Sequence, residues 1–286
     1  GPLAAAAVDL AFLAALLAVI LREILAGRNW RNLPVAGVVA LLLTANALVH
    51  LGASAYGGLG DGGLAAGGLR LAISAIVMLI SLIGGRIVPS FTGNWLRKAG
   101  VAVLPEPFGA FDRVVLGGCG VALAGWVVLP NALPVAWGLG VAGLLQALRL
   151  ARWGGVRTGA EPLVWVLHLG YGWVAFGLMV LAAGTLMPEL GTSAALHALT
   201  TGAMGTMILA VMTRTTLGHT GRKLAANGAT VVAYGLISVA AVLRIAAGSS
   251  ADPLTLQIAA ALCWIAAFTL FLLCYGPMYF RARVAG

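Results

Sequence analysis

The sequence predicts an all-α fold, a polytopic bundle of about nine transmembrane spans with its N-terminus outside and its C-terminus cytoplasmic. Three observations predict it. Hydrophobic residues fill 61% of the 286 positions and charged residues only 9%, where a soluble domain carries about a quarter charged residues; the mean hydropathy is +1.03. Apolar runs long enough to cross roughly 30 Å of hydrocarbon recur along the whole chain. Basic residues gather in alternate connections between those runs. No hydrophilic stretch is large enough for a second domain, so 1–286 reads as a single transmembrane helical domain.

The runs fall near residues 3–25, 33–51, 64–83, 111–129, 132–150, 163–186, 193–213, 230–247 and 254–275. The first is long enough to span and has no basic segment before it, which argues against a cleaved secretory signal. The stretch GGLGDGG at 57–63 separates the second and third runs as a turn and lacks the lysine and spacing of a phosphate-binding loop. Pro34, Pro130, Pro134, Pro162, Pro188, Pro253 and Pro277 fall at or near the ends of runs, and none falls mid-span, as expected of residues that interrupt a helix. Glycines inside the runs, as in GLGVAG (138–143) and GAMG (202–205), predict closely packed helices. Cys119, Cys263 and Cys274 share no metal-binding or disulfide spacing and read as reduced packing residues.

The distribution of charge sets the topology. Fifteen of the 17 Lys and Arg residues lie at the connections after the first, third, fifth and seventh runs or in the C-terminal tail, which by the positive-inside rule face the cytoplasm. The pI of about 10.3 is therefore topological and implies no nucleic acid. Arg70 and Arg244 are the exceptions, at the outer ends of the third and eighth runs.

The rare polar groups then sort into two layers around an apolar middle. The outer layer holds His50, Arg70, Glu189, His197 and Arg244. The inner layer holds Arg86, Thr92, Asp112, His168, Arg214, His219 and Arg222. His197 and His219, 22 residues apart, would stand about 33 Å apart if the segment between them is one helix, too far to share a metal. Imidazole is the usual axial ligand of haem iron and a common metal ligand. His50 and His197 on different helices, with Arg70 or Arg244 to pair with propionates, would suit a haem; as helix caps or interfacial residues they would do nothing of the kind. Met204, two turns from His197, offers a soft thioether for copper or simply packs. His168 lies within apolar depth in LVWVLHLGYGW and needs a polar partner. His219 is the candidate partner, with Gly218 and Gly221 permitting a turn that folds it under the bundle, so His168 and His219 form a second metal or proton-handling pair. No nucleophile–histidine or paired-carboxylate constellation marks a hydrolase, protease or kinase.

The stretch SAALHALTTGAMGTMILAVMTRTTLGHTGR (193–222) strongly resembles the signature of the NnrS family, bacterial membrane proteins of the nitric oxide response described as containing haem and copper. GRNWRNLP (27–34), ANALVHLG (45–52), GGRIVPSFTGNWL (84–96) and PLVWVLHLGYGW (162–173) are similar to that family's segments in the same order. The resemblance implies haem b and copper as cofactors, nitric oxide or a related small molecule as partner, an electron donor, and a bacterial inner-membrane location. Onto matching positions it carries His50, Arg86, Pro89, Thr92, His168, His197, Arg214, His219 and Arg222. Family members usually have about twelve spans and an early W-H-A-H-E-M-like motif, so the chain resembles the C-terminal three-quarters of that architecture. Two readings of other classes stand beside it. One is a small-anion or metal transporter with an Arg/His-lined pathway, against which the absence of mid-span prolines and inverted repeats argues; the other is a chain that only packs with a partner.

Overall fold

The computed structural model describes residues 2–56 and 63–284. Among them the regular elements are all helical, and nine helices are long and apolar enough to cross a membrane. The chain is a multi-pass membrane protein. Its helices are α1 (Pro2–Ala26), α2 (Leu33–Tyr56), α3 (Leu64–Leu79), α4 (Gly85–Lys98), α5 (Ala110–Val128), α6 (Leu133–Ala151), α7 (Pro162–Leu186), α8 (Ser193–His197), α9 (Thr206–His219), α10 (Gly228–Ala247) and α11 (Pro253–Tyr279). Of the stretch read as a turn at 57–63, all but Gly63 lies outside the described residues.

Two compact units make up the fold, Gly1–Leu79 with Gly120–Pro130, and Ile80–Cys119 with Asn131–Gly286. In the first, α2 packs between α1 and α3. Leu3, Val8 and Phe12 on α1 are exposed, as suits a surface solvated by lipid, because a helix satisfies its own backbone polar groups there. In the second, α7 is the central element, packed against α6, α8 and α9. Its Leu163, Leu167, Tyr171 and Val174 are fully buried. The glycine expectation holds at α6 and α7: a Cβ on Gly143 would fall 2.7 Å from Met179 Cγ. Three tyrosines tie the remaining helices together. The Tyr234, Tyr279 and Tyr275 hydroxyls pair with Thr213 at 2.5 Å, Thr216 at 2.6 Å and Thr230 at 2.8 Å. Each threonine already donates its own proton, to Ala210 O, Met212 O and Asn227 Oδ1 respectively, so the tyrosines donate. At the N-cap of α11, hydrogen bonding from Thr255 holds the Asp252 carboxyl below the usual carboxylate range.

Two spans run longer than hydropathy suggests. The third continues through Lys98, with π-helical turns over Ile80–Gly84 joining α3 to α4. Pro89 therefore lies inside a helix, contrary to the expectation that no proline falls mid-span. The reason is amphipathicity. Gly85, Val88, Thr92 and Leu96 are buried at helical spacing, while Arg86, Arg97 and Lys98 lower the mean hydropathy and hide the stripe. The seventh span likewise continues to His219, through π-helical turns over Ala198–Gly205. At its polar end Thr215, Thr216 and the capping Thr220 return their hydroxyl protons to carbonyls one turn back, so the hydroxyls are satisfied locally.

Candidate functional site

The second unit brings several of the expected site residues together around α7. His168 is buried, and its Nε2 lies 2.8 Å from Thr92 Oγ1. The Thr92 hydroxyl donates to Val88 O at 2.8 Å, so its oxygen accepts from His168 Nε2–H. In that tautomer the neutral ring carries its lone pair on Nδ1, which is buried and has no hydrogen-bond partner among the described residues. Gly155 explains how this nitrogen is covered. A Cβ there would fall 2.6 Å from His168 Cγ, so the bare glycine backbone lies directly on the imidazole. The polar partner demanded by His168 is thus Thr92 from α4, in place of the expected His219. Removing that hydroxyl leaves Nε2–H buried and unpaired, so Thr92→Val is expected to lose about 1–3 kcal/mol of stability. Thr92→Ser, which keeps the acceptor, should stay near the parent in a detergent unfolding experiment.

His219 is the last residue of α9, and the turn begins after it. Arg222 N–H reaches Leu217 O at 2.9 Å and Gly221 N–H reaches Gly218 O at 3.3 Å, with Gly221 at φ +71°. This is a Schellman ending, whose left-handed residue favours glycine. The expected fold-back of His219 by way of Gly218 is therefore replaced by continued helix, because Gly218 keeps its helical place. Beside His219 lies a cavity of about 490 Å³, walled by Ile87, Phe91, Leu167 and Val211 and carrying Arg214 and His219. The Arg214 guanidinium stands 3.9 Å over the Phe91 ring.

At the other end of the same span, His197 lies within electrostatic reach of Arg244. Among the described residues neither the His197 nor the His219 ring has a hydrogen-bond partner, and neither Arg214 nor Arg244 has an ion pair. In the first unit His50 Nε2 is 3.0 Å from Asp9 Oδ2, and Arg70 Nε donates to Val127 O at 3.4 Å. His50 and His197 thus belong to different units. Arg222 donates to Thr220 O at 3.4 Å. Among the described residues no three His, Cys, Asp or Glu side chains cluster as a metal site.

One constellation escaped the sequence. Arg149, read as one of the topological cations, is fully buried. It donates to Asp112 Oδ1 at 2.7 Å, to Ser81 O at 3.0 Å and to the Tyr171 hydroxyl at 2.8 Å. Tyr171 donates onward to Gln146 Oε1 at 2.6 Å, and Gln146 Nε2 to Ser81 Oγ at 3.1 Å. Trp153 faces the guanidinium at 5.3 Å and the Tyr171 ring at 4.6 Å. The network holds the π-helical turns at Ser81 and so sets the course of α4, which delivers Thr92 to His168. Its signal was available, since Gln146 and Arg149 stand three apart on one helix face within an apolar run.

The chemistry open to this arrangement is that of an imidazole and a guanidinium on the wall of one mostly apolar cavity, His219 and Arg214. A haem iron draws four ligands from its own ring and needs one or two imidazoles from the protein, so isolated histidines fit it. No curated protein and no solved structure matches the chain. A model of the family described as NnrS protein matches residues 1–283, and on a match of that extent the chain belongs to the NnrS family.

Proposed function

We propose that this chain is a haem- and copper-binding protein of the nitric oxide response in a bacterial inner membrane. One observation carries the reading. Among the described residues the imidazole at each end of the seventh span has no hydrogen-bond partner and the guanidinium that goes with it has no ion pair: Arg244 lies within electrostatic reach of His197, and Arg214 lines the same cavity as His219. Imidazole suits haem iron and guanidinium suits its propionates. A bound haem would supply the coordination position for nitric oxide. His50 and Met204 are further donors for copper. His168, whose Nδ1 is covered by Gly155, serves in this conformation to anchor α4 through Thr92. Oxidised and dithionite-reduced visible spectra of the detergent-purified chain, with metal analysis, test the proposal. A Soret band that moves on reduction is expected, diminished in His197→Ala or His219→Ala according to which end holds the haem and lost in the double variant; a colourless, metal-free protein would overturn it.

A second reading, transport of a small anion or metal, gains from the π-helical turns in the third and seventh spans and from Pro89 inside α4, since interrupted helices line many transport sites. Uptake into liposomes by protein free of chromophore would favour it.

A further inference from the structure

The cavity between α4, α7 and α9 has a defined chemistry of its own. Ile87, Phe91, Leu167 and Val211 make most of its wall apolar, and the basic groups Arg214 and His219 lie on it. Arg214 is half-buried, and a guanidinium partly withdrawn from water against an apolar wall favours a counter-charge. Arg214 has the Phe91 ring at 3.9 Å and feels Glu161 only through space; among the described residues no carboxylate comes within ion-pair distance of it. Its missing partner is an anion, and the walls require the remainder of that ligand to be hydrophobic. The volume, about 490 Å³, falls within the range of small-molecule sites.

We infer that this cavity binds an apolar molecule bearing a carboxylate, with Arg214 holding the carboxylate and Phe91 orienting the guanidinium. Two sources share that chemistry, a tetrapyrrole with propionates and a fatty acid drawn from the bilayer. The tetrapyrrole source rests on the function proposed above, whereas the fatty-acid source does not.

The test uses the full chain in a non-ionic detergent, titrated separately with haemin and with the fluorescent fatty acid cis-parinarate. Arg214→Gln is expected to weaken at least one probe about ten-fold or more, as a lost charge-assisted hydrogen bond does, and Arg214→Lys to weaken it less. The methyl ester of that probe should bind the parent and Arg214→Gln alike. Val211→Trp, which fills the cavity and leaves Arg214 in place, should exclude the probe while the thermal transition persists. Haemin binding that needs both Arg214 and His219 assigns the tetrapyrrole. Parinarate binding that needs Arg214, with haemin indifferent to both residues, assigns the fatty acid even if the haem reading fails. Binding of neither probe by the parent, or binding of both by Arg214→Gln and Val211→Trp at parental affinity, overturns the inference.

Discussion

Asp112→Ala is expected to destabilise the chain by about 3–5 kcal/mol, the usual cost of stripping one partner from a buried ion pair. Arg149 has no exposed surface, so losing its carboxylate leaves a charge that cannot reach water. Tyr171 and Ser81 O would still accept from it, but neither supplies negative charge. The paired replacement Arg149→Met with Asp112→Leu removes the charge together with its partner and should recover most of the loss. Thermal unfolding in detergent of the single and double variants separates these outcomes. A single variant within about 1 kcal/mol of the parent would show that water enters the site. The consequence for the site is specific. Loss of the clamp on the π-helical turns frees α4 to shift, and Thr92 with it, so the same variant should also disturb the imidazole environment of His168.

Gly155→Ala is the second large effect expected, about 1–3 kcal/mol from overpacking. The added methyl would sit on the His168 ring, which is fixed from the other side by Thr92. One of the two contacts must give way. Gly159, four residues on in the same connection, has open space where its Cβ would go and a helical backbone at φ −55°, so Gly159→Ala should be near neutral. A double-mutant cycle decides the cause, because neighbours couple and distant sites do not. In a His168→Ala background the Gly155→Ala penalty should vanish. Its persistence there would place the strain in the backbone of the connection and away from the imidazole.

Both predictions turn on contacts that one-dimensional patterns carry poorly. Hydropathy located nine spans because the hydrocarbon core imposes a minimum apolar length whatever the tertiary packing. It failed at the ends of the third and seventh spans because polar helix there is buried against protein rather than lipid. Thr92 and Thr216 read as connection residues for that reason. Arg149 shows the opposite failure. Its position at a run's end beside Arg152 made it resemble a cytoplasmic anchor, and a cation's place in the chain does not say which neighbour it faces.

The sequence offered residues for a site, but it did not offer the contacts that the structure gives them. Helix length alone separated His197 from His219, which lie at opposite ends of one 27-residue span, and Arg244 was expected in the layer of His197 and lies within its electrostatic reach. The partner of His168 was misassigned, because Thr92 lies 76 positions away on a helix that the sequence reading ended at residue 83. Asp9, which meets His50, was overlooked, although a carboxylate inside an apolar run is itself a signal.

By itself the sequence determined the class of solvent, the number of crossings and the family, since apolar length and a long residue signature survive without coordinates. Only the tertiary structure decided which polar groups meet. Inside a membrane bundle each buried donor or acceptor must find a partner on another helix. That partner depends on helix rotation and on π-helical offsets that shift a face, and bare glycines such as Gly155 decide how closely a neighbour can approach.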